Sequence, residues 1–430
     1  MIWGYRLIFL PAFVLAFPYY LRRMLRRGGY GQDMQHRWGC MPAVPPKGPR
    51  KRVWAHAVSV GELNAIRPLL EAMKAEMDVE IVLSTTTSTG YALAQSKMKE
   101  LCLAISYFPI DFVLFSRRAW KQYDPDMVVL MEAELWPEHL HQAKRRGVPV
   151  YMINARLSDK SYRRYAKFGA ISRRLLNKPD LILPSSEHDL ERFAALGINR
   201  KKLSCTGNLK CDSPLPELPE AEKSQLRKEL FGKSAKEALI LMGSSTWPGE
   251  EVFLADLRQK AEADGMDIRL LLVPRHAERR EELKTYLQRR NEAFQFRTEK
   301  PATVSEPLIY VADTTGELSR LTSIADVVFI GKSLPPNKGG QTPIEAVGMG
   351  IPSVMGPEMS NFKQITQEML LSKAALQAKT QGEAELLLFK LLKDKTLRKK
   401  LGDAGKEWHE RQRGAIGRTL ENIRRHLNRL

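Results

Sequence analysis

Short, continuous apolar runs bounded by glycine and polar turns alternate along this chain with stretches whose apolar residues recur every three to four positions. Runs at 53–58, 79–84, 127–132, 150–154 and 181–184 read as buried parallel strands, and a second series follows at 239–243, 268–273, 308–311, 327–330 and 353–355. Between the strands the period becomes helical, as with Leu63, Ile66, Leu70, Met73 and Met77. A proline-rich stretch, Cys211-Asp-Ser-Pro-Leu-Pro-Glu-Leu-Pro-Glu220, separates the two series and suits a linker. At 430 residues the chain exceeds what one core supports. The pattern therefore predicts an α/β protein of two doubly wound, Rossmann-like domains with a cleft between them. The expected boundaries are 28–210 for the first domain, 211–222 for the linker and 223–396 for the second domain. A basic, helical segment follows at 397–430, with Trp408, Ile416, Leu420, Ile423 and Leu427 on its apolar face.

Residues 1–27 follow a different pattern. From Ile2 to Leu21 the only charge is Arg6, which is long enough for a span of ~20 apolar residues, although Pro11 and Pro18 interrupt it. Tyr19 and Tyr20 stand where an interfacial aromatic belt would fall, and Arg22, Arg23, Arg26 and Arg27 follow. The positive-inside rule then places the body on the cytoplasmic side of the inner membrane, with this segment as a single uncleaved anchor. A helix lying in the interface is the alternative, and a cleaved signal peptide fits poorly because the charges come after the apolar run. Lys and Arg exceed Asp and Glu by 19. That excess favours a polyanionic partner, and an anionic membrane surface fits better than nucleic acid, for which no zinc-finger or RNA-binding motif is present. The four scattered cysteines form no C-x-x-C pair, as expected of a reducing cytosol.

The candidate chemistry lies at strand ends. Lys338-Gly-Gly-Gln-Thr-Pro343 leads into a short helix bearing Glu345, which ends at Gly350-Ile351-Pro352. Glycine lets backbone amides approach a phosphate, and a carboxylate beside them can hold ribose hydroxyls, so this stretch suits a nucleotide sugar. Its spacing resembles the donor site of glycosyltransferases of the GT-B fold. In the first half, His56-Ala-Val-Ser-Val-Gly-Glu62 runs from a strand through a glycine turn to an acid at a helix start, where Glu62 can act as a general base. Polar strand ends at 84–90, 131–137 and 153–158 fall on the same edge. Asp124-Pro125-Asp126, the one Asp-x-Asp triplet, enters a strand at its amino end and reads as a turn, so no metal or other cofactor is expected.

Taken in order, these segments resemble the 3-deoxy-D-manno-octulosonic acid (Kdo) transferases of Gram-negative bacteria. The shared motifs are His56 to Glu62, Thr85 to Gly90, Glu132 to Pro137, Asn154 to Ser158, Ser161 to Tyr165, Ser186-Glu187 with Arg192-Phe193, Gly207 to Lys210, Val273 to His276, Asp313 to Leu318, Gly339-Gly340 with Pro343 and Glu345, and Asn361-Phe362. The resemblance implies an inverting, metal-independent transfer of Kdo from CMP-Kdo to a lipid A precursor in lipopolysaccharide core biosynthesis, with Glu62 as base. It implies donor binding by Pro274, Arg275, His276, Gly316, Glu317, Leu318, Gly340, Glu345 and Asn361. Acceptor binding falls to Ser59, Gly61, Thr87, Glu134 and Arg156, and in GT-B proteins the final helix returns to the first domain.

Two positions depart from the family. Gln341 stands where a His usually follows Gly-Gly, and Trp247-Pro248 stands where His-Glu is usual before Gly-Glu-Glu. Gln cannot carry the charge that His can. Two other functions are open to the same features: a membrane-associated GT-B transferase using another nucleotide sugar, and an inactive binding module of this fold.

Overall fold

The apolar runs pair as parallel strands in two separate sheets of the computed structural model. It describes residues 2–27, 33–212, 215, 218–233, 235, 237–299 and 306–429, with the helical backbone alone at 20, 21 and 23–27. The first sheet contains β1 (Arg52–His56), β2 (Glu80–Thr85), β3 (Ala104–Tyr107), β4 (Met127–Met131), β5 (Val150–Ala155) and β6 (Leu181–Pro184) in the order β3-β2-β1-β4-β5-β6. The second contains β7 (Leu239–Thr246), β8 (Ile268–Pro274), β9 (Phe294–Phe296), β10 (Ile309–Val311), β11 (Val327–Ile330), β12 (Ser353–Met355) and β13 (Leu376–Gln377) in the order β13-β12-β11-β7-β8-β10-β9. In each sheet the chain first builds outward on one side of the starting strand and then returns to its other side. The crevice at the carboxyl ends of β1 and β4, and that at β7 and β11, are therefore topological switch points. Three strands go beyond the apolar runs: β3, β9 and β13 are all edge strands. An edge strand pairs on one side only and needs a weaker apolar signal than a central one.

The chain divides into two compact units, Met1–Ser213 with Gln412–Leu430, and Pro214–Arg411. In the first, the helix Val60–Met77 buries Leu63, Ile66, Leu69, Leu70 and Met73 against Val53, Ala55, Ile81 and Leu83 of the sheet. In the second, the helix Glu250–Ala263 buries Phe253, Leu254, Leu257 and Ala261 against Leu241, Leu270 and Leu272. Of the expected linker, residues 213, 214, 216 and 217 lie outside the described residues.

The basic C-terminal stretch divides between the units. The helix Lys395–Gln412 places Leu401 in the second core, whereas the helix Ala415–Leu427 adds Ala415, Leu420 and Ile423 to the first. The latter helix is tied down by Arg424 to Glu76 at 2.7 Å and by the Asp212 carboxylate, which accepts from the amides of Gly414 and Ile416 at 2.6 Å each.

The N-terminal helix Ile2–Arg27 runs through Pro11 and Pro18, and its segment Ile2–Tyr19 is long and apolar enough to cross a membrane. Its first turns are fastened to the first unit. Tyr5 donates to Asp111 at 2.6 Å, and Arg6 forms a two-pronged pair with buried Glu138 at 2.8 Å in each arm. Phe9 stacks on Phe112 and Phe13 meets Trp38 edge-on. Leu7 and Leu15 point away from the body, 78% and 81% exposed. Arg6, the single charge in the apolar run, is thus accounted for by a partner on the body.

Candidate active site

Glu62 is the third residue of the helix that follows β1, at the first switch point. Its Oε2 accepts from the Val58 amide at 2.9 Å and its Oε1 from the Ser59 hydroxyl at 3.0 Å. The residue is only 8% exposed. Burial, reinforced by the charge of Glu132, pushes its pKa up to about 7 against those two hydrogen bonds. A carboxylate with its pKa near neutrality is matched to taking a proton at neutral pH. Two protein hydrogen bonds leave further lone pairs for a substrate hydroxyl. Gly61 precedes it, and a Cβ there would meet open space, so the helix entrance is unobstructed.

The Thr-rich segment after β2 holds the backbone beside this acid. The hydroxyls of Thr85 (3.1 Å) and Thr87 (3.2 Å) and the amides of Thr86 (3.4 Å) and Thr87 (3.2 Å) all donate to the Val58 carbonyl. Thr87 also caps the next helix, accepting from the Gly90 amide at 3.1 Å. Thr87, expected at the acceptor, is therefore engaged in fixing Val58, whose own N–H binds Glu62.

Across the switch point, β4 is followed directly by Glu132, held in left-handed backbone at φ 55°. Arg156, after β5, and Lys210 flank its carboxylate at 3.8 and 3.6 Å. Glu134 accepts from the Trp136 indole at 2.9 Å, and burial raises its pKa. Glu62, Glu132, Glu134 and Arg156 thus converge from three strand ends. Glu132 and Lys210 belong to motifs noted in the sequence, yet their pairing depends on a chain path that spacing alone does not reveal. Asp126, by contrast, sits at the amino end of β4 and accepts from the Arg52 amide and the Lys47 ammonium at 2.7 Å each, as a turn residue does. Among the described residues no cluster of His, Cys, Asp or Glu is placed to hold a metal ion.

In the second unit the expected donor residues line the carboxyl edge of the sheet. Arg275 and His276 follow Pro274 at the end of β8, with the Arg275 amide bonded to the Thr246 carbonyl at 3.1 Å. Gly316, at φ 89°, turns the chain into the short helix Leu318–Thr322, and Glu317 is paired with Arg297 at 3.0 Å. Ser319 on that helix donates to Glu345 at 2.5 Å, joining the segments after β10 and β11. Gly340 is confined because a Cβ would fall 2.3 Å from Met359 Sδ, and at Gly339 one would fall 2.5 Å from Asn361 Nδ2. The two glycines thereby let the loop after β12, with Asn361, close on the loop after β11.

Glu250 was not singled out by its sequence context. Buried at the start of the helix Glu250–Ala263, its carboxylate accepts from four backbone amides: Trp247 (2.9 Å), Lys332 (2.7 Å), Ser333 (2.9 Å) and Leu334 (3.1 Å). It lashes the loop after β7 to the loop after β11, on either side of the second switch point.

Two doubly wound parallel sheets, each with its polar residues gathered at a switch-point crevice, are the architecture of the GT-B fold. Solved structures agree on that fold. The Anabaena protein Alr3699/HepE in complex with UDP and glucose matches 89% of this chain and 100% of its own at TM-score 0.56 and 12% identity, and a glycosyltransferase from Rickettsia africae matches 88% and 98% at TM-score 0.55 and 15% identity. Residues 32–213 match the family described as 3-deoxy-D-manno-octulosonic-acid transferase (kdotransferase). The 3-deoxy-D-manno-octulosonic acid transferase of Bordetella pertussis is 31% identical over 412 residues, covering 94% of each chain. That of Haemophilus influenzae is 29% identical over 429 residues, covering 98% of this chain and 96% of its own. The chain belongs to the Kdo transferase family.

Proposed function

We propose that this Kdo transferase, an enzyme of lipopolysaccharide biosynthesis, moves Kdo from CMP-Kdo to a sugar hydroxyl of a lipid A precursor, with Glu62 as general base. The observation that carries this reading is a buried carboxyl at the β1/β4 switch point with its pKa near 7 and open approach over Gly61. Glu62 takes the proton of the acceptor hydroxyl as that oxygen attacks the anomeric carbon of Kdo, and the bond from that carbon to the CMP phosphate oxygen breaks. Attack opposite the leaving group inverts the anomeric centre. Arg156, Lys210 and Glu134 would position the acceptor. Arg275 and the backbone amides of Gly316, Glu317 and Leu318 would stabilise the departing phosphate without a metal ion, and Glu345 would hold the ribose.

Incubating the purified protein in detergent with CMP-Kdo and a tetraacylated lipid A precursor should give, by mass spectrometry, a product heavier by Kdo. Activity should persist in excess EDTA, and Arg275→Ala and Glu345→Ala should each weaken CMP binding. Loss of activity in EDTA, restored by Mg²⁺ or Mn²⁺, would favour a transferase of another nucleotide sugar. CMP binding with no transfer would favour an inactive module.

The N-terminal helix is proposed as the inner-membrane anchor, with both units on the cytoplasmic side. Its contacts favour a helix lying in the interface over one that crosses. A crossing helix would carry its first turns ~30 Å from the surface where the body sits, yet Tyr5 and Arg6 are bonded to the body. Replacing the outward residues Leu7, Val14 and Leu15 together by Ser should release the protein from membranes at high salt without loss of folding, as should deletion of 1–27. Equal retention of the triple variant and the wild type at high salt would refute the anchor.

A further inference from the structure

We propose that Lys332 is a donor-binding cation of this enzyme, aimed by Trp247 at an anionic group of the nucleotide sugar. The proposal deepens the donor reading above and rests on it. Lys332 follows β11 with only Gly331 between them, so it stands at the second switch point, where an open α/β sheet receives its ligand. Its backbone is left-handed, at φ 57°, a conformation that lysine seldom adopts. The surroundings impose it: the Lys332 amide is held by Glu250 at 2.7 Å, and its carbonyl accepts from the Gly340 amide at 2.9 Å. Backbone strain fixed from both sides in this way tends to gather at ligand sites.

The side chain is equally constrained. Its ammonium lies 4.3 Å from the ring centroid of Trp247, and the same indole meets the His276 ring edge-on at 5.1 Å. An ammonium resting on an indole is directed instead of sweeping freely through solvent. Nearby acids are otherwise occupied. Glu250 is saturated by four amides, and Glu278 is paired with His276 at 3.2 Å. Among the described residues no carboxylate pairs with Lys332.

Both departures from the family pattern meet here. Gln341, which cannot be charged, donates its backbone N–H to the Gly331 carbonyl at 3.0 Å, next to Lys332. Trp247 is the other departure and supports the ammonium. Lys332 thus places a cation nine residues before Gln341 in the same loop. CMP-Kdo offers two anions, the phosphate and the sugar carboxylate, and a lysine serves either as a compact point charge.

The test uses the full-length protein with CMP and with CMP-Kdo as probes. Lys332→Met keeps length and removes charge. Lys332→Gly also removes the charge but suits the left-handed backbone, so it should melt no lower than wild type. Both should raise the KM for CMP-Kdo about tenfold or more, while Lys332→Arg retains most of the affinity. An equal loss in CMP affinity assigns the contact to the phosphate. Unchanged CMP affinity assigns it to the sugar carboxylate. Trp247→Leu should weaken the donor less than Lys332→Met. If Lys332→Met and Lys332→Gly leave both CMP affinity and the KM for CMP-Kdo unchanged, the proposal is wrong. If wild type binds CMP but does not turn over CMP-Kdo, the donor reading fails, and CMP affinity alone then decides whether Lys332 binds the phosphate.

Discussion

Glu62→Gln should lower turnover by about 10²-fold or more while leaving the fold and CMP binding intact. The amide is nearly isosteric and can still accept from the Val58 N–H, but it has no basic lone pair for a proton. The pH profile sharpens the expectation. A general base works deprotonated, so the wild-type rate should rise with pH and level off above about 7, where burial has moved the Glu62 pKa. In the variant that ascending limb should vanish. Stability should move the other way. A carboxyl whose folded pKa is raised stabilises the fold fully below its unfolded pKa and loses that contribution as pH rises through its folded pKa. Above pH 7 ionised Glu62 therefore costs stability that Gln does not, and the variant should melt no lower than wild type at pH 8. Near-normal turnover in purified Glu62→Gln would remove this residue from the mechanism.

Glu250→Ala should give the largest loss of stability in the second unit. Four backbone amides share this one carboxylate, and three of them belong to Lys332, Ser333 and Leu334 in the loop after β11. A buried donor left without a partner costs about 1–3 kcal/mol. Even with water replacing some of the bonds, a net loss of about 3 kcal/mol is expected, or roughly 6–12 °C in melting temperature for a unit of this size. Donor affinity should fall with it, since the loops on both sides of the second switch point lose their common tie. Calorimetry of the variant with and without CMP measures both effects. A melting temperature within a degree of wild type would show that the staple contributes little.

The two variants concern residues of unequal legibility in the sequence. Central strands such as β4, β7 and β8 announce themselves as apolar runs because both faces and both edges are covered. The edge strands β3, β9 and β13 borrow their conformation from one neighbour and leave a fainter trace. Glu62 stands out because the motif His56 to Glu62, which carries the family resemblance, ends on it. Glu250 does not, since an acid opening a helix is what the helix dipole favours anywhere. Its function lies in amides contributed by a distant loop. Thr87 was legible as a polar strand end, but not that its hydroxyl is committed to Val58 and Gly90. A sequence shows which groups are available and leaves open which of them are already bonded.

The helix Ala415–Leu427 has a consequence for how the molecule is born. Synthesis runs from the N-terminus, and domains commonly fold in that order as they emerge. Here the first unit must wait: its core takes Ala415, Leu420 and Ile423, which pack with Leu63, Ile66 and Leu70 of the helix bearing Glu62. The second unit, encoded in the middle, is complete while its predecessor still lacks a wall. The helix Val60–Met77 thus reaches its final packing only after residue 423 has been made, and a chain terminated at residue 411 would keep the whole second unit while leaving the first core without Ala415, Leu420 and Ile423.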